Sequence, residues 1–296
     1  MNERLRIVEV GPRDGLQNES RPVPLEIKRN FIRQLLKAGA REFEAGAFVR
    51  SDRIPQMADS EEVLKNIDLN EATAFFLVPN EKGLERALAS GVRAIAVFTG
   101  ASETFVRKNI GMSIDESLKT FERVARKALA EGMKVRGYVS VVWGCPYEGP
   151  VWIDVIKRVT KALLDMGCFE VSLGDTIGIA TPKTVEEVLS QMREFPKEKL
   201  ALHFHDTRGL AVANVLRAVQ MGYRNFDSSA GGLGGCPYAP GAAGNVATEE
   251  LVLLAESLEF QTGLDVMEVA RASKVIIDFL GRPPRSKAYQ ALLVSS

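Results

Sequence analysis

Short runs rich in β-branched and aromatic residues alternate along this chain with longer stretches in which apolar residues recur at helical spacing. The strand-like runs number eight: Leu5–Val10, Glu42–Phe48, Ala72–Val78, Ala94–Phe98, Val135–Val142, Phe169–Leu173, Leu200–His205 and Asn225–Ser229. Helical stretches between them include Leu25–Ala38, Ile114–Glu131, Val151–Met166 and Val185–Phe195. Several of these stretches end at a glycine, a residue that readily takes the left-handed conformation closing a helix. The pattern predicts repeated strand–helix units.

Strict alternation of strands and helices predicts a parallel sheet. Eight such units in about 250 residues are typical of a (β/α)8 TIM barrel. A doubly wound open sheet is the alternative, but no G-x-G-x-x-G motif follows the first strand to favour it. We predict one α/β catalytic domain over residues 1–296, with the barrel at about 5–262. A C-terminal helical extension at about 263–296 would hold a helix near Leu264–Leu280.

The balance of charged residues argues against some classes of binding partner. The 38 basic and 38 acidic side chains give a formal net charge of zero, and no basic tract is present. We therefore expect neither nucleic acid nor a membrane surface as a partner, and no apolar run reaches the roughly 18 residues of a membrane span. The first residues lack a signal or transit pattern, and the three cysteines are too scattered for a disulfide framework. These features predict a cytoplasmic globular protein.

The chain contains only two histidines, His203 and His205. Residues two apart on a strand point to the same face, and paired imidazoles indicate a metal site or acid–base chemistry. An H-x-H pair alone also occurs in ordinary cores and surfaces. In a barrel, however, the chemistry lies at the carboxyl ends of the strands. The polar residues expected there are Arg13, Asp14, Glu44, Ser172, Asp175, Thr176, His203, His205 and the glycine-rich run 231–237.

Several segments resemble the 3-hydroxy-3-methylglutaryl-CoA lyase family, in order and over nearly the whole chain. They are Gly11–Glu19, Pro55–Asp59, Ser102–Asn109, Gly144–Gly149, Ser172–Gly178, Gly232–Tyr238 and Gly244–Glu249. The last two, GLGGCPY and GNVATE, are the most specific. The resemblance implies a metal-dependent TIM-barrel lyase that cleaves (S)-3-hydroxy-3-methylglutaryl-CoA to acetyl-CoA and acetoacetate.

The resemblance assigns Asp14, His203, His205 and Asn245 as ligands of a divalent cation. Carboxylate, imidazole and amide oxygen together suit Mg²⁺ or Mn²⁺, whereas zinc sites more often use cysteine or an all-histidine set. Asp14 and Asn245 have an alternative role as helix caps.

The resemblance makes Arg13 the group that stabilises the enolate oxygen left when the carbon–carbon bond breaks; the alternative is a surface salt bridge. We expect Asp175, assisted by a histidine such as His203, to be the base that removes the hydroxyl proton. His203 or His205 could serve as the base only if the metal does not fully occupy it. Glu44 is the other carboxylate candidate, or instead fixes Arg13 through a charge-assisted pair.

Cys236 resembles the family's catalytic cysteine, which returns a proton to the enolate carbon; its alternative is a small buried apolar residue. Cys168 fits that second description, and Cys145 is expected to pack near the site without reacting. Glu249 is expected to hold the Cys236 loop or Asn245.

The acyl-CoA substrate implies a site for its phosphates. Arg107, Lys108 and Asn109, in a predicted Ser102–Asn109 loop, are the candidates; solvated side chains are the alternative. We also expect a homodimer.

The sequence departs from the family at Ala47, Arg50–Arg53, Arg208 and Leu210, and at Pro240 and Ala243 within the cysteine loop. These changes spare the implied metal and proton-transfer residues. They leave open a substrate with a different or longer substituent at C3.

Two other functions compete. Claisen-condensing acyltransferases of the same superfamily share the aspartate and the H-x-H pair, but this chain has Gly15-Leu-Gln17 in place of their Gly-Glu-Gln and no third histidine. A non-catalytic binding barrel is the second alternative, which the complete set of implied catalytic residues disfavours.

Overall fold

The computed structural model describes residues 3–235 and 244–294. Within these residues the strands are β1 (Arg6–Glu9), β2 (Glu42–Ala47), β3 (Thr73–Leu77), β4 (Ala94–Gly100), β5 (Lys134–Ser140), β6 (Glu170–Asp175), β7 (Leu200–Phe204) and β8 (Asn225–Ser228). They form a closed barrel in chain order, and β8 pairs in parallel with β1. The predicted (β/α)8 TIM barrel is confirmed, and the open sheet is excluded.

The helices in the described residues are α1 (Leu25–Lys37), α2 (Glu81–Ala89), α3 (Glu103–Ile110), α4 (Ile114–Ala130), α5 (Ile153–Asp165), α6 (Pro182–Gln191), α7 (Ala211–Gln220), α8 (Thr248–Ser257), α9 (Val266–Leu280) and α10 (Lys287–Val294). Side-chain caps fix several starts. Ser113, for example, forms a capping box with Glu116 at the start of α4. Searched over the described residues, none of these helices combines the length and apolarity that a bilayer crossing demands.

One prediction about helices was wrong and another was incomplete. The segment predicted as a Ser102–Asn109 loop is helix α3, which begins because the Ser102 side chain accepts from the Phe105 amide and ends at Gly111 in the left-handed conformation. The C-terminal extension contains the predicted helix as α9, and a second helix, α10, follows it.

Strand alternation divides the barrel into two environments. On β7, Leu200, Leu202 and Phe204 join the apolar layer between the barrel and its helices, while His203 lies on the other face of the strand. The apolar layer supplies the main hydrophobic core. The side chains on the other face of each strand point into the barrel interior and are not part of this apolar layer.

The barrel interior holds paired charges. Arg136 on β5 is fully buried; its Nε lies 2.7 Å from Glu170 Oε1, and its Nη2 lies 2.6 Å from Asp227 Oδ1. Arg6 bonds to Glu170 from the amino end of the barrel. Buried charges persist only when they are paired and hydrogen-bonded, so these residues form one ionic network through the barrel.

The C-terminal extension docks on the end of α1. Helix α9 packs against α1, and the Asp265 amide donates to the Ala38 carbonyl at 2.9 Å. Gly39 follows with φ of +101°, and a Cβ built on it would lie 2.2 Å from the Gly263 carbonyl oxygen. Only glycine fits this contact.

Gly39→Ala should lower the free energy of unfolding by about 2–5 kcal/mol, because the left-handed conformation and the overlap with Gly263 both penalise a methyl group. The matched control is Gly91→Ala, which shares a positive φ but meets nothing within 4 Å and should lose only about 1–2 kcal/mol. Urea titration of both variants measures the difference. Equal losses would show that the close approach of the extension contributes nothing.

Candidate active site and cation-binding group

The two histidines converge at the carboxyl end of β7. His203 is on the strand and His205 directly follows it, so both imidazoles lie on one face. Their Nε2 atoms are 3.1 Å apart, and both residues are 8% exposed. Such close ring nitrogens either share a hydrogen or bind a common ion.

Asp14 completes a cation-binding group. It lies in the single turn Gly11–Gly15 directly after β1, and its Oδ2 is 3.9 Å from His203 Nε2. One donor atom from each of Asp14, His203 and His205 lies within 4.8 Å of the others. The group brings one carboxylate and two imidazoles to one point and fits a divalent cation.

Asn245 reaches the same group from beyond β8. It pairs with His205 in an isolated antiparallel bridge, and its Nδ2 donates to Asp14 Oδ2 at 2.9 Å and to the Leu233 carbonyl at 3.2 Å. Its Oδ1 is buried and accepts no hydrogen bond from any described residue. An amide oxygen left without a donor beside Asp14 suits a cation, which supports the fit of these four residues to a metal.

Glycines make the approach of Asn245 sterically feasible. A Cβ on Gly234, whose φ is +118°, would lie 2.7 Å from Asn245 Nδ2, and one on Gly244 would lie 2.5 Å from the Gly235 amide nitrogen. This close backbone contact explains the glycines on both sides of the cysteine. The predicted roles of Cys236, Pro240 and Ala243 lie outside the described residues.

Arg13 is fixed beside the cation-binding group. Its Nε lies 2.8 Å from Glu44 Oε2, and its Nη1 lies 2.8 Å from Asp14 Oδ1. A bulge after Glu44 in β2 interrupts the strand register next to this pair. The guanidinium therefore points at the mouth of the barrel and does not form a surface salt bridge.

The Arg13 guanidinium sets the charge of its neighbour. Burial opposes ionisation of Asp14, but Arg13 and the two imidazoles outweigh it and lower its pKa to about 2. Burial also raises the pKa of Glu44 despite its bond to Arg13, and Glu44 Oε1 has no partner among the described residues. The two carboxyls thus have pKa values shifted in opposite directions, that of Asp14 downward and that of Glu44 upward.

Asp175 lies at the carboxyl end of β6 and is buried. Its oxygens accept from the Ile179 and Ala180 amides at 3.0 and 3.1 Å, so it closes the loop that follows the strand. Burial raises its pKa to about 6, although these amides and His203 act in the opposite direction. A carboxyl that titrates near neutrality can exchange protons at physiological pH.

The two imidazoles differ in basicity. Burial lowers the pKa of His205 to about 4, and the neighbouring His203 adds to this effect. Burial acts the same way on His203, but the hydrogen bond and charge of Asp227 outweigh it and raise its pKa. His205 is therefore neutral near pH 7, whereas His203 takes up a proton more readily than an ordinary histidine does.

Asp227 was not predicted from the sequence. Its Oδ2 lies 3.2 Å from His203 Nδ1, and Arg136 lowers its pKa against the effect of burial. The available signal was Arg136, a charged residue within the largely apolar run Val135–Val142; Asp227 lies in a polar run and gave no comparable signal.

Buried glutamates anchor the glycine-rich turn. Both oxygens of Glu249 accept from the Gly231 amide at 2.9 Å. Glu9, also missed by the sequence reasoning, accepts from the amides of Gly11 and Ala230 at 2.7 and 3.0 Å. Within the described residues Glu249 forms no hydrogen bond with Asn245, so the structure places it under the turn that leads to the cysteine segment.

A large cavity opens from this group to the surface. Its volume is about 1210 Å³, and Arg13, Asp14, both histidines and Gly235 lie in its wall. Such a volume suits an extended ligand. Arg107, Lys108 and Asn109 also line it, as do all residues of the segment 50–53.

The remaining departures from the family pattern lie elsewhere. Ala47 is buried, its amide donates to Ser60 Oγ at 3.0 Å, and it is not among the described residues of the cavity wall. Arg208 and Leu210 are exposed on the loop after β7 and are absent from the cavity wall formed by the described residues. Among the departures that lie in the described residues, only Arg50–Arg53 line this cavity.

The fold and the site define a class of protein, a parallel (β/α)8 barrel with a carboxylate–imidazole group for a cation at the carboxyl ends of its strands. A family profile described as HMGL-like matches residues 4–276. The chain belongs to this HMGL-like family, which confirms the resemblance carried by its motifs.

Three relatives illustrate the similarity. A hydroxymethylglutaryl-CoA lyase of Pseudomonas mevalonii is 47% identical over 99% of this chain and 98% of its own length. The structure of a hydroxymethylglutaryl-CoA lyase from Pseudomonas aeruginosa has a TM-score of 0.97 at 45% identity, covering 100% of this chain and 99% of that one. An Acinetobacter baumannii HMG-CoA lyase in complex with coenzyme A and 3-methylmalate has a TM-score of 0.92 at 36% identity, covering 97% and 95%.

His205→Ala should weaken Mn²⁺ binding at least about 100-fold, because loss of even an outer partner of a metal ligand lowers affinity 10- to 100-fold. Asp52→Ala is the matched control, since it removes a carboxylate from the same cavity wall and should leave affinity unchanged. Calorimetric titration measures both. Unaltered affinity in His205→Ala would remove this residue from the ligand set.

Mn²⁺ affinity should fall as the pH is lowered through the pKa of His203, which lies above the ordinary value of about 6.5. A cation binds only the neutral imidazole, so each pH unit below that pKa should weaken binding about tenfold. Isothermal titration over a pH series measures the dependence. A constant affinity across this range would contradict the role of His203 as a ligand.

Proposed function

We propose that this protein is a divalent-metal-dependent lyase that cleaves (S)-3-hydroxy-3-methylglutaryl-CoA to acetyl-CoA and acetoacetate. The observation that carries the proposal is the position of Arg13, whose guanidinium is held by Glu44 directly beside the cation-binding group. Relatives that bear this activity in their names are similar over their whole length, and one of them binds coenzyme A.

The metal is Mg²⁺ or Mn²⁺, bound by Asp14, His203, His205 and Asn245. The unsatisfied Asn245 Oδ1 and the close donor atoms of the other three residues support this ligand set. When bound, the cation acidifies the tertiary hydroxyl of the substrate and orients it together with the substrate carboxylate.

Arg13 stabilises the enolate. Its charge is permanent, since Glu44 and Asp14 raise its pKa and outweigh the effect of burial. A guanidinium pre-oriented in a buried site stabilises a developing oxyanion far more than one in water does. The thioester oxygen of the acetyl-CoA enolate is the atom on which this charge develops.

Two protons move in the reaction. Asp175, assisted by His203, accepts the hydroxyl proton; the bond between the alcohol carbon and the acyl methylene then breaks, and its electron pair forms the enolate. The Cys236 thiol gives its proton to the enolate carbon and yields acetyl-CoA. The pKa of about 6 at Asp175 suits a base that works near neutral pH; Glu44 is the alternative base.

The phosphates of coenzyme A bind at the cationic outer wall of the cavity. Arg107 and Lys108 line it on α3, and Lys108 Nζ is 4.0 Å from the centre of the Tyr147 ring. Asn109 adds an amide to the same wall.

Arg107→Ala should raise KM and leave kcat unchanged. An unchanged KM would contradict the assignment of Arg107 to the phosphate site.

We further propose a cytoplasmic homodimer. The two described cysteines, Cys145 and Cys168, are buried free thiols, as a reducing compartment favours. Trp152 is 81% exposed and offers apolar surface that a second copy would cover. Sedimentation velocity tests the assembly, and a monomer at micromolar concentration would contradict it.

The decisive assay follows acetyl-CoA release from (S)-3-hydroxy-3-methylglutaryl-CoA with Mg²⁺ or Mn²⁺ and with EDTA. Strong release abolished by EDTA supports the proposal.

Cys236→Ala should bind metal normally but turn over about 10²–10⁴-fold more slowly, as loss of a general acid predicts. Cys168→Ala, which truncates a buried thiol away from the cavity, should retain full turnover.

Metal binding without release would contradict the substrate and favour a different 3-hydroxyacyl-CoA. The observation behind this alternative is the Arg50–Arg53 segment, which departs from the family pattern and lines the cavity. A series of acyl-CoA thioesters with longer substituents at C3 then distinguishes the two substrates.

A further inference from the structure

Asp227 contacts a histidine of the site from inside the barrel. It lies on β8 directly opposite His203 on β7, and the two residues are register partners. Its Oδ2 lies 3.2 Å from His203 Nδ1, while His203 Nε2 is on the side of Asp14 and His205. One ring nitrogen thus faces the barrel interior and the other faces the cation-binding group.

Two further strands, β5 and β6, hold the Asp227 carboxylate in place. Arg136 Nη2 on β5 donates to Oδ1 at 2.6 Å, and Ser172 Oγ on β6 donates to Oδ2 at 2.7 Å. All three side chains are buried. The position of the carboxylate is therefore fixed by the barrel itself and does not depend on a loop.

This arrangement determines where the hydrogen on His203 lies. A carboxylate paired with a guanidinium only accepts hydrogen bonds, so the Nδ1 atom of a neutral His203 must carry the hydrogen. Its Nε2 is then left with a lone pair. We propose that Asp227 is a positioning residue that fixes the Nδ1–H tautomer and ring orientation of His203, so that Nε2 is presented to the divalent cation. The inference rests on the metal site proposed above.

His205 provides an internal contrast. Its Nδ1 is buried and has no hydrogen-bond partner among the described residues. In the metal-free protein, its Nε2 lies 3.1 Å from the His203 Nε2 lone pair, so His205 must donate from Nε2 and carry its hydrogen there. A cation held by His205 Nε2 would take the place of that hydrogen. His203 would then keep one tautomer throughout, whereas His205 would change from Nε2–H to Nδ1–H.

The tautomers are measurable because His203 and His205 are the only two histidines of the chain. Long-range ¹H–¹⁵N correlation spectra of the metal-free enzyme, at a pH where both rings are neutral, should show Nδ1–H for His203 and Nε2–H for His205. The His205→Ala variant assigns the remaining ring. An Nε2–H tautomer of His203 in the wild-type protein would overturn the proposal, and this measurement does not depend on any Asp227 variant folding.

Asp227→Asn should weaken Mn²⁺ binding about 10- to 100-fold, as loss of the partner of a ligating histidine does in other metal sites, and His203 should become a mixture of tautomers. Glu170→Gln is the matched control, because Glu170 is a buried partner of the same Arg136 and has no bond to His203. A merely structural role would lower the thermal stability of both variants and weaken Mn²⁺ binding equally in both.

Affinity within twofold of wild type in Asp227→Asn, with the His203 tautomer unchanged, would overturn the inference. A wild-type protein that binds no Mn²⁺ while His203 is in the Nδ1–H form would instead refute the proposed metal site and with it the presentation of Nε2 to a cation. The tautomer and affinity measurements thus distinguish the two failures.

Discussion

A buried guanidinium in the middle of the barrel is the constraint on which the site depends. Arg136 has no exposed surface, and a charge in that position is tolerated only if carboxylates surround it. Asp227 supplies one of these carboxylates, and its second oxygen lies against the Nδ1 atom of His203. The requirement to neutralise one buried charge therefore also orients a residue at the barrel mouth.

The chemical groups at the mouth come from elements that the barrel topology brings together. Asp14 follows β1, the histidines end β7, and Asn245 returns along His205 after β8. The charge and burial around each carboxyl differ, so side chains of the same type have different pKa values. Asp14 is held ionised by Arg13, whereas burial keeps the pKa of Asp175 at about 6. Two aspartates at the carboxyl ends of strands thus differ in acidity because their neighbours differ.

The sequence predicted the features that depend on periodicity and chain order. Strand–helix alternation predicted the barrel, and the two-residue spacing of the histidines predicted their convergence. Pairing across strands could not be predicted, because the contact of His203 with Asp227 depends on the register of β7 against β8. Helix α3 was mistaken for a loop although Ser102 and Gly111 are good capping residues. The cysteine's role stays a prediction, since Cys236 lies outside the described residues.

The parallel pairing of β8 with β1 has a consequence for how the protein matures. The cation-binding group takes its donors from the turn after the first strand and from the last third of the chain, more than 180 residues apart. Such distant contacts form late, since loop closure must precede them. A nascent or half-finished barrel therefore cannot assemble the group, and a cation bound there would favour molecules whose ring has closed. Metal binding would then stabilise the closed barrel relative to every partly folded form of the chain.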